Sequence, residues 1–175
     1  METALIDFNR EGKPNWIEGI PVNGLVWMDN AEGMLKQVDV LIENGYKTIK
    51  IKVGTLPFYE ELELLEEIRR RCPSSDFTLR LDANGAFSKQ SPDGLTALEK
   101  LQILYNAGLD LHSIEQPISP GLIEEMAELC ASSPVPIALD EELIQVRSKS
   151  EKRALLEKIR PEYLVLKPSL LGGFK

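Results

Sequence analysis

Charged residues stand inside otherwise apolar, strand-like runs at nearly regular intervals, and this restricts the fold more than any other feature of the 175-residue chain. The runs are "IPVNGLVWM", "TIKIKV", "FTLRLDA", "LHSIEQPI", "PIALDEEL" and "YLVLKP". Between them, apolar residues recur at spacings of three and four over 31–43, 57–71, 94–106, 121–131 and 149–159, the period of amphipathic helices. Asn44–Gly45 and Asn106–Gly108 supply left-handed stops after two of these helices. Repeated strand, helix, strand implies parallel strands joined by right-handed crossovers, so the fold class is α/β. Two architectures meet that requirement, an open doubly wound sheet and a closed (β/α)8 barrel. No glycine-rich phosphate fingerprint follows an early strand, which weakens the dinucleotide-binding version of the first.

Strands covered by helices are almost wholly apolar, so an ionisable residue within one needs a reason. Lys50 and Lys52 lie in the second run, Arg80 and Asp82 in the third, Glu115 in the fourth, Asp140 and Glu141 in the fifth, and Lys167 in the sixth. From Lys52 the steps are 30 residues to Asp82, 33 to Glu115, 25 to Asp140 and 27 to Lys167, each close to one strand-helix unit. Every unit therefore delivers one charge to the same end of the sheet. In a parallel sheet that is the carboxyl end, where α/β proteins build their sites. Residues two apart share a face, so Lys50 accompanies Lys52, Arg80 accompanies Asp82, and Ile51, Leu79 and Leu81 turn towards the helices.

Three carboxylates in one pocket repel one another until a proton or a cation relieves them. Oxygen-only donors without His or Cys suit a hard divalent ion, most simply Mg²⁺. A lysine beside that ion and other cations, in a poorly solvated pocket, is expected to have a lowered pKa and to serve as a general base. His112 reads as a surface or capping residue. Trp16, Trp27 and Tyr46 read as packing, and the acids from Glu60 to Glu67 as a solvated helix face.

The net charge of −8 opposes an electrostatic footprint for nucleic acid or an anionic membrane, leaving a small molecule as the expected partner. Cys72 and Cys130 have neither metal-ligand nor disulfide-framework spacing and are expected as reduced thiols of a cytoplasmic protein. No apolar run reaches the length of a membrane span, and the first residues lack the pattern of a secretory signal.

The ordered set "IKIKVG", "RLDANGAF", "IEQPI", "ALDEEL" and "LKPSLLGGF" resembles the barrel of the enolase superfamily, muconate-lactonizing subgroup. The resemblance runs from about Ile20 to the end. It implies a (β/α)8 barrel of which strands one to six fall in residues 20–175, with residues 1–19 as the tail of a helix leading from an N-terminal capping domain. It further implies Mg²⁺ held by Asp82, Glu115 and Asp140, with Lys52 and Lys167 as the catalytic lysines on opposite faces of a carboxylate substrate. Use of a lysine base with Mg²⁺ is an established property of this superfamily. Lys50, Arg80, Asn84, Ser169, Gly172 and Gly173 are then expected near the substrate or behind the ligands, and Glu141 as a residue that orients a neighbour. The implied reaction is dehydration of a succinyl-hydroxycyclohexadiene carboxylate in menaquinone biosynthesis, with racemisation of N-acylamino acids or epimerisation of dipeptides as alternatives. Lacking two strands and a cap, the chain alone is expected to be inactive or unstable. A phosphoacceptor receiver domain, which also uses acids, Mg²⁺ and a Lys-Pro, is a more distant reading; the Lys-x-Lys strand and Glu115 oppose it.

Overall fold

The computed structural model describes residues 21–88, 94–167 and 170. Six strands alternate with helices: β1 (Gly24–Val26), α1 (Ala31–Glu43), β2 (Thr48–Lys52), α2 (Phe58–Arg71), β3 (Thr78–Asp82), α3 (Ala97–Asn106), β4 (Leu111–Glu115), α4 (Ile123–Ser132), β5 (Ile137–Leu139), α5 (Glu141–Gln145), α6 (Lys149–Ile159) and β6 (Tyr163–Leu164). All strand pairings are parallel, and the sheet order is β1-β2-β3-β4-β5-β6.

That order decides between the two architectures. A doubly wound sheet reverses direction partway and places helices on both faces. Here each strand is added on the same side of its predecessor, so crossovers of one hand put all the helices on one face. The strand residues turned to that face, among them Ile49, Ile51, Leu79, Leu81, Ile114, Ile137 and Leu139, are at most 1% exposed. Met34, Val38, Leu65, Ile68, Leu101, Leu104, Met126 and Ile159 join them in one core. The opposite face carries the ionisable side chains.

Local chemistry sets the helix ends. The Asn30 side chain accepts from the Gly33 N–H to start α1, and capping boxes of Thr96 with Glu99 and Ser148 with Glu151 start α3 and α6. α2 has no side-chain cap but carries Glu60 and Glu61 in its first turn and Arg69, Arg70 and Arg71 in its last, complementing its dipole. Arg69 donates to the carbonyls of Cys72, Phe77, Leu109 and Asp110, tying the end of α2 to the starts of β3 and β4. The expected stops after α1 and α3 are present, with Gly45 and Gly108 at φ of 81° and 68°.

Two features differ from the sequence reading. The strands are shorter than the apolar runs, because only part of each run pairs with a neighbouring strand. The acidic face of α2 is not wholly solvated: Glu61 is 3% exposed. It lies three residues after Phe58 and three and four before Leu64 and Leu65, on the helix's buried side. Its Oε1 accepts the Gly54 N–H at 2.7 Å, anchoring the loop that follows β2. Burial lifts its carboxyl to about 7, against the opposing backbone N–H groups of Gly54, Thr55 and Leu56 and the charge of Lys100.

A carboxyl group with a folded pKa above its unfolded value stabilises the fold fully at low pH, and that contribution is lost as pH rises through the folded pKa. Between pH 4.5 and 8 the wild-type chain should therefore lose up to about 3 kcal/mol relative to Glu61→Gln, which keeps an acceptor but does not titrate. Urea unfolding of both proteins across that range is the check, and parallel profiles would dismiss the effect.

Candidate metal and proton-transfer site

Strand register brings the predicted residues together. Lys50 is level with Arg80, Lys52 with Asp82, and Asp82 with Glu115. The last alignment depends on an irregularity: Leu79 pairs with Leu111 but Arg80 with Ser113, leaving His112 as a surplus residue in β4. Without this bulge Ile114 would stand beside Asp82 and the carboxylate of Glu115 would change face. His112 is half-buried, with its Nδ1 3.0 Å from Ser113 Oγ and its ring 4.5 Å from that of Tyr163. It is a packing residue within the sheet rather than the surface or capping residue expected.

The three carboxylates are buried, at 1% exposure for Asp82, 6% for Glu115 and 1% for Asp140. Lys50 Nζ lies 2.7 Å from both Asp82 Oδ2 and Glu115 Oε2. Lys52 Nζ donates to Asp82 Oδ2 and Asn84 Oδ1, each at 2.6 Å, and Lys167 pairs with Asp140. Asn84 Nδ2 donates in turn to Glu141 Oε1 at 2.8 Å. Arg80 lines a cavity of about 200 Å³ with Lys50, His112 and Tyr163, and its buried Nε has no partner. Ser169, Gly172 and Gly173 lie outside the described residues, as do Trp16 and the segment 1–19.

Burial would raise the Asp82 carboxyl, but hydrogen bonds from Lys50 and Lys52 outweigh it and hold the group below its ordinary range. Glu115 moves the other way, raised by burial and by the charge of Asp82 despite Lys50. Burial pushes Lys50 down, yet Asp82 and Glu115 leave it raised overall; at Lys167 Asp140 likewise reverses the effect of burial. The lowering expected from the sequence was for a lysine beside a bound cation; in the structure the nearest charges to these two lysines are carboxylates.

The loops bear strain where they approach the site. Asn84 and Gln116, each within two residues of an acid, have φ of 44° and 42°. Gln116 is fully buried; its Oε1 accepts the Asp140 N–H at 3.3 Å while its amide donates to Ile118 O. Gly85 has φ of 81°, and a Cβ there would come within 2.9 Å of Ser119 Cα. At Gly54, φ is 95° and a Cβ would meet that of Ala86 at 2.3 Å. The structural importance of Gln116 was not read from the sequence, although its place directly after Glu115 and before Pro117 marked a turn. Trp27 is another departure: it is 61% exposed, not packed, with Lys52 Nζ 5.8 Å from its ring centroid.

Among the described residues no group of three or more His, Cys, Asp and Glu side chains is gathered into a metal site. Ammonium groups hold the acids instead. The donor chemistry nevertheless fits a hard divalent cation: three carboxylates stand at the carboxyl ends of successive strands, Asp82 and Glu115 as last residues and Asp140 directly after β5, and Asp140 Oδ1 and Glu141 Oε2 are buried without a partner. Asp82, Glu115 and Asp140 are the residues that would hold it. Cys72 and Cys130 are buried free thiols, and among the described residues no helix is long and apolar enough to cross a membrane.

The profile of the enolase C-terminal domain-like family matches residues 33–175. The chain is 43% identical to o-succinylbenzoate synthase from Desulfotalea psychrophila over 99% of its own length and 47% of that protein's. It is 30% identical to N-succinyl-L-Arg/Lys racemase from Bacillus cereus, covering 89% of this chain and 39% of that protein. The crystal structure of o-succinylbenzoate synthase from Thermosynechococcus elongatus, complexed with Mg in the active site, superposes with a TM-score of 0.74 at 27% identity, over 90% of this chain and 46% of that one. The chain thus spans under half the length of each of these relatives.

Mg²⁺ should raise the melting temperature, because a ligand that binds only the folded state at about one hundred times its Kd adds about 2.7 kcal/mol. Asp140→Asn should abolish most of that rise. Thermal melts across a MgCl2 titration, with NaCl at matched ionic strength, measure it; equal curves with and without Mg²⁺ in the wild type would exclude the cation.

Proposed function

The chain belongs to the enolase C-terminal domain-like family, and from that premise we propose that the whole protein is a Mg²⁺-dependent o-succinylbenzoate synthase, a carbon-oxygen lyase. The observation that carries this reading is the placement of two ammonium groups at opposite ends of the carboxylate row, Lys52 on Asp82 and Lys167 on Asp140. The 43% identity to a synthase supports it.

A divalent cation on the three acids would bind the substrate carboxylate and stabilise the negative charge that builds when the neighbouring C–H bond breaks. As a neutral amine, Lys52 Nζ takes that proton. The same Nζ then returns it to the hydroxyl group as the C–O bond breaks, so water leaves and the ring becomes aromatic. Asn84 and Asp82 fix Nζ for both transfers. Lys167, from the other end, sets a positive charge against the anionic ring.

The racemase relative supports a second reading. Two lysines on opposite sides of one carbon can exchange its proton from either face, which inverts the centre without loss of water.

Side-by-side assay of the full-length protein with the hydroxycyclohexadiene carboxylate and an N-acylamino acid, with and without a chelator, separates the two. Dehydration should dominate and vanish with the chelator. Lys52→Ala should lower it by at least about a hundredfold, within the range for losing a general base, while the stabilisation by Mg²⁺ persists. Near-normal turnover in that variant would overturn the assignment of Lys52.

A further inference from the structure

Trp27 follows β1 and leaves 61% of its surface exposed. Its backbone is nevertheless fixed. The Trp27 N–H donates to Gln37 Oε1 at 2.8 Å and its carbonyl accepts from Gln37 Nε2 at 3.2 Å, so a side chain of α1 pairs with it much as a neighbouring strand would. Two hydrogen bonds thus hold a residue whose ring the described residues of this chain leave mostly uncovered.

The ring stands by Lys52, whose Nζ is 5.8 Å from its centroid. The same Nζ is held by Asp82 and Asn84. The reacting amine therefore has one acid and one amide as its hydrogen-bond partners and an indole within reach of its charge. Any molecule with a carbon against Nζ must extend past this amine, and the indole offers it a large apolar surface 5.8 Å away. Lys50, Lys52 and Lys167 attract an anion of any shape; a flat apolar wall adds a preference for a flat body.

We propose that Trp27 is a specificity-determining residue whose indole forms one wall of the substrate site and stacks on the planar, unsaturated ring of a carboxylate substrate. This rests on the reading of Lys52 as the group that meets the substrate, and it gives β1, which contributes no charge to the site, a part in selecting the substrate.

The test compares wild type, Trp27→Ala and Trp27→Phe in the full-length protein, with the hydroxycyclohexadiene carboxylate and an aliphatic N-acylamino acid as substrates. Trp27→Ala should raise KM for the ring substrate about ten- to a hundredfold, the scale of losing one aromatic contact with its buried area, while kcat changes by less than about threefold. Trp27→Phe should recover most of the loss, and KM for the aliphatic substrate should move by less than about threefold. Binding is read independently of turnover: o-succinylbenzoate should quench the tryptophan emission of wild type more strongly than that of Trp27→Phe, with circular dichroism confirming that the variants are folded. An unchanged KM in Trp27→Ala, an equal rise for both substrates without rescue by Phe, or equal quenching in wild type and Trp27→Phe would overturn the proposal. If wild type does not turn over the ring substrate, the dehydration reading falls, and the difference in quenching alone then decides whether Trp27 is a wall.

Discussion

Three carboxylates at 1–6% exposure must be compensated where they lie, and the rest of the molecule follows from how this is done. Asp82, Glu115 and Asp140 are met by Lys50, Lys52 and Lys167, three negative charges against three positive ones, in a chain whose net charge is −8. Each pairing spans different strands or the loops that follow them. The acids can keep their partners only while the strands keep their register, so the polar face of the sheet enforces the same alignment that the apolar face rewards. The loops carry the associated cost as unfavourable backbone angles at Asn84 and Gln116.

Much of this was legible because two periodicities coincide. The helical spacing marks α1 and α6 to the residue, and the recurrence of one ionisable group per strand-helix unit marks Lys52, Asp82, Glu115, Asp140 and Lys167 before any contact is known. What was not legible involves choices that both periodicities leave open. Glu61 belongs to an acidic run, and only its phase relative to Phe58 and Leu65 betrays its burial. Trp27 is of a type that reads as core, yet it is 61% exposed, and the pairing of its backbone with the Gln37 side chain on the next helix has no periodic signature. The short helix α5 directly follows the acid of β5, where a run of similar residues could equally have continued the strand. The direction of the shifts at Lys50 and Lys167 depends on which charges are nearest, which a list of residues at one sheet end does not rank.

A charge arrangement that can serve more than one reaction leaves discrimination to other parts of a site. The chain is similar both to a synthase and to a racemase, and on the proposed reading paired lysines around a carboxylate row could serve either outcome. Specificity is then a property of the uncharged surroundings: a wall, a loop carried by Gly54 or Gly85, or a body that fits between them.

The surplus residue at His112 gives the sheet a phase boundary. Strands before it and after it satisfy the inward and outward alternation separately, and one residue reconciles them. If His112 were instead taken into the ladder opposite Arg80, every later residue of β4 would slip by one, sending Glu115 to the apolar side and Ile114 to the polar side. Excision of His112 itself would let Leu111 and Ser113 follow one another against Leu79 and Arg80 with Glu115 still level with Asp82, so the alignment rests on leaving one residue of β4 out of the pairing rather than on the length of the strand.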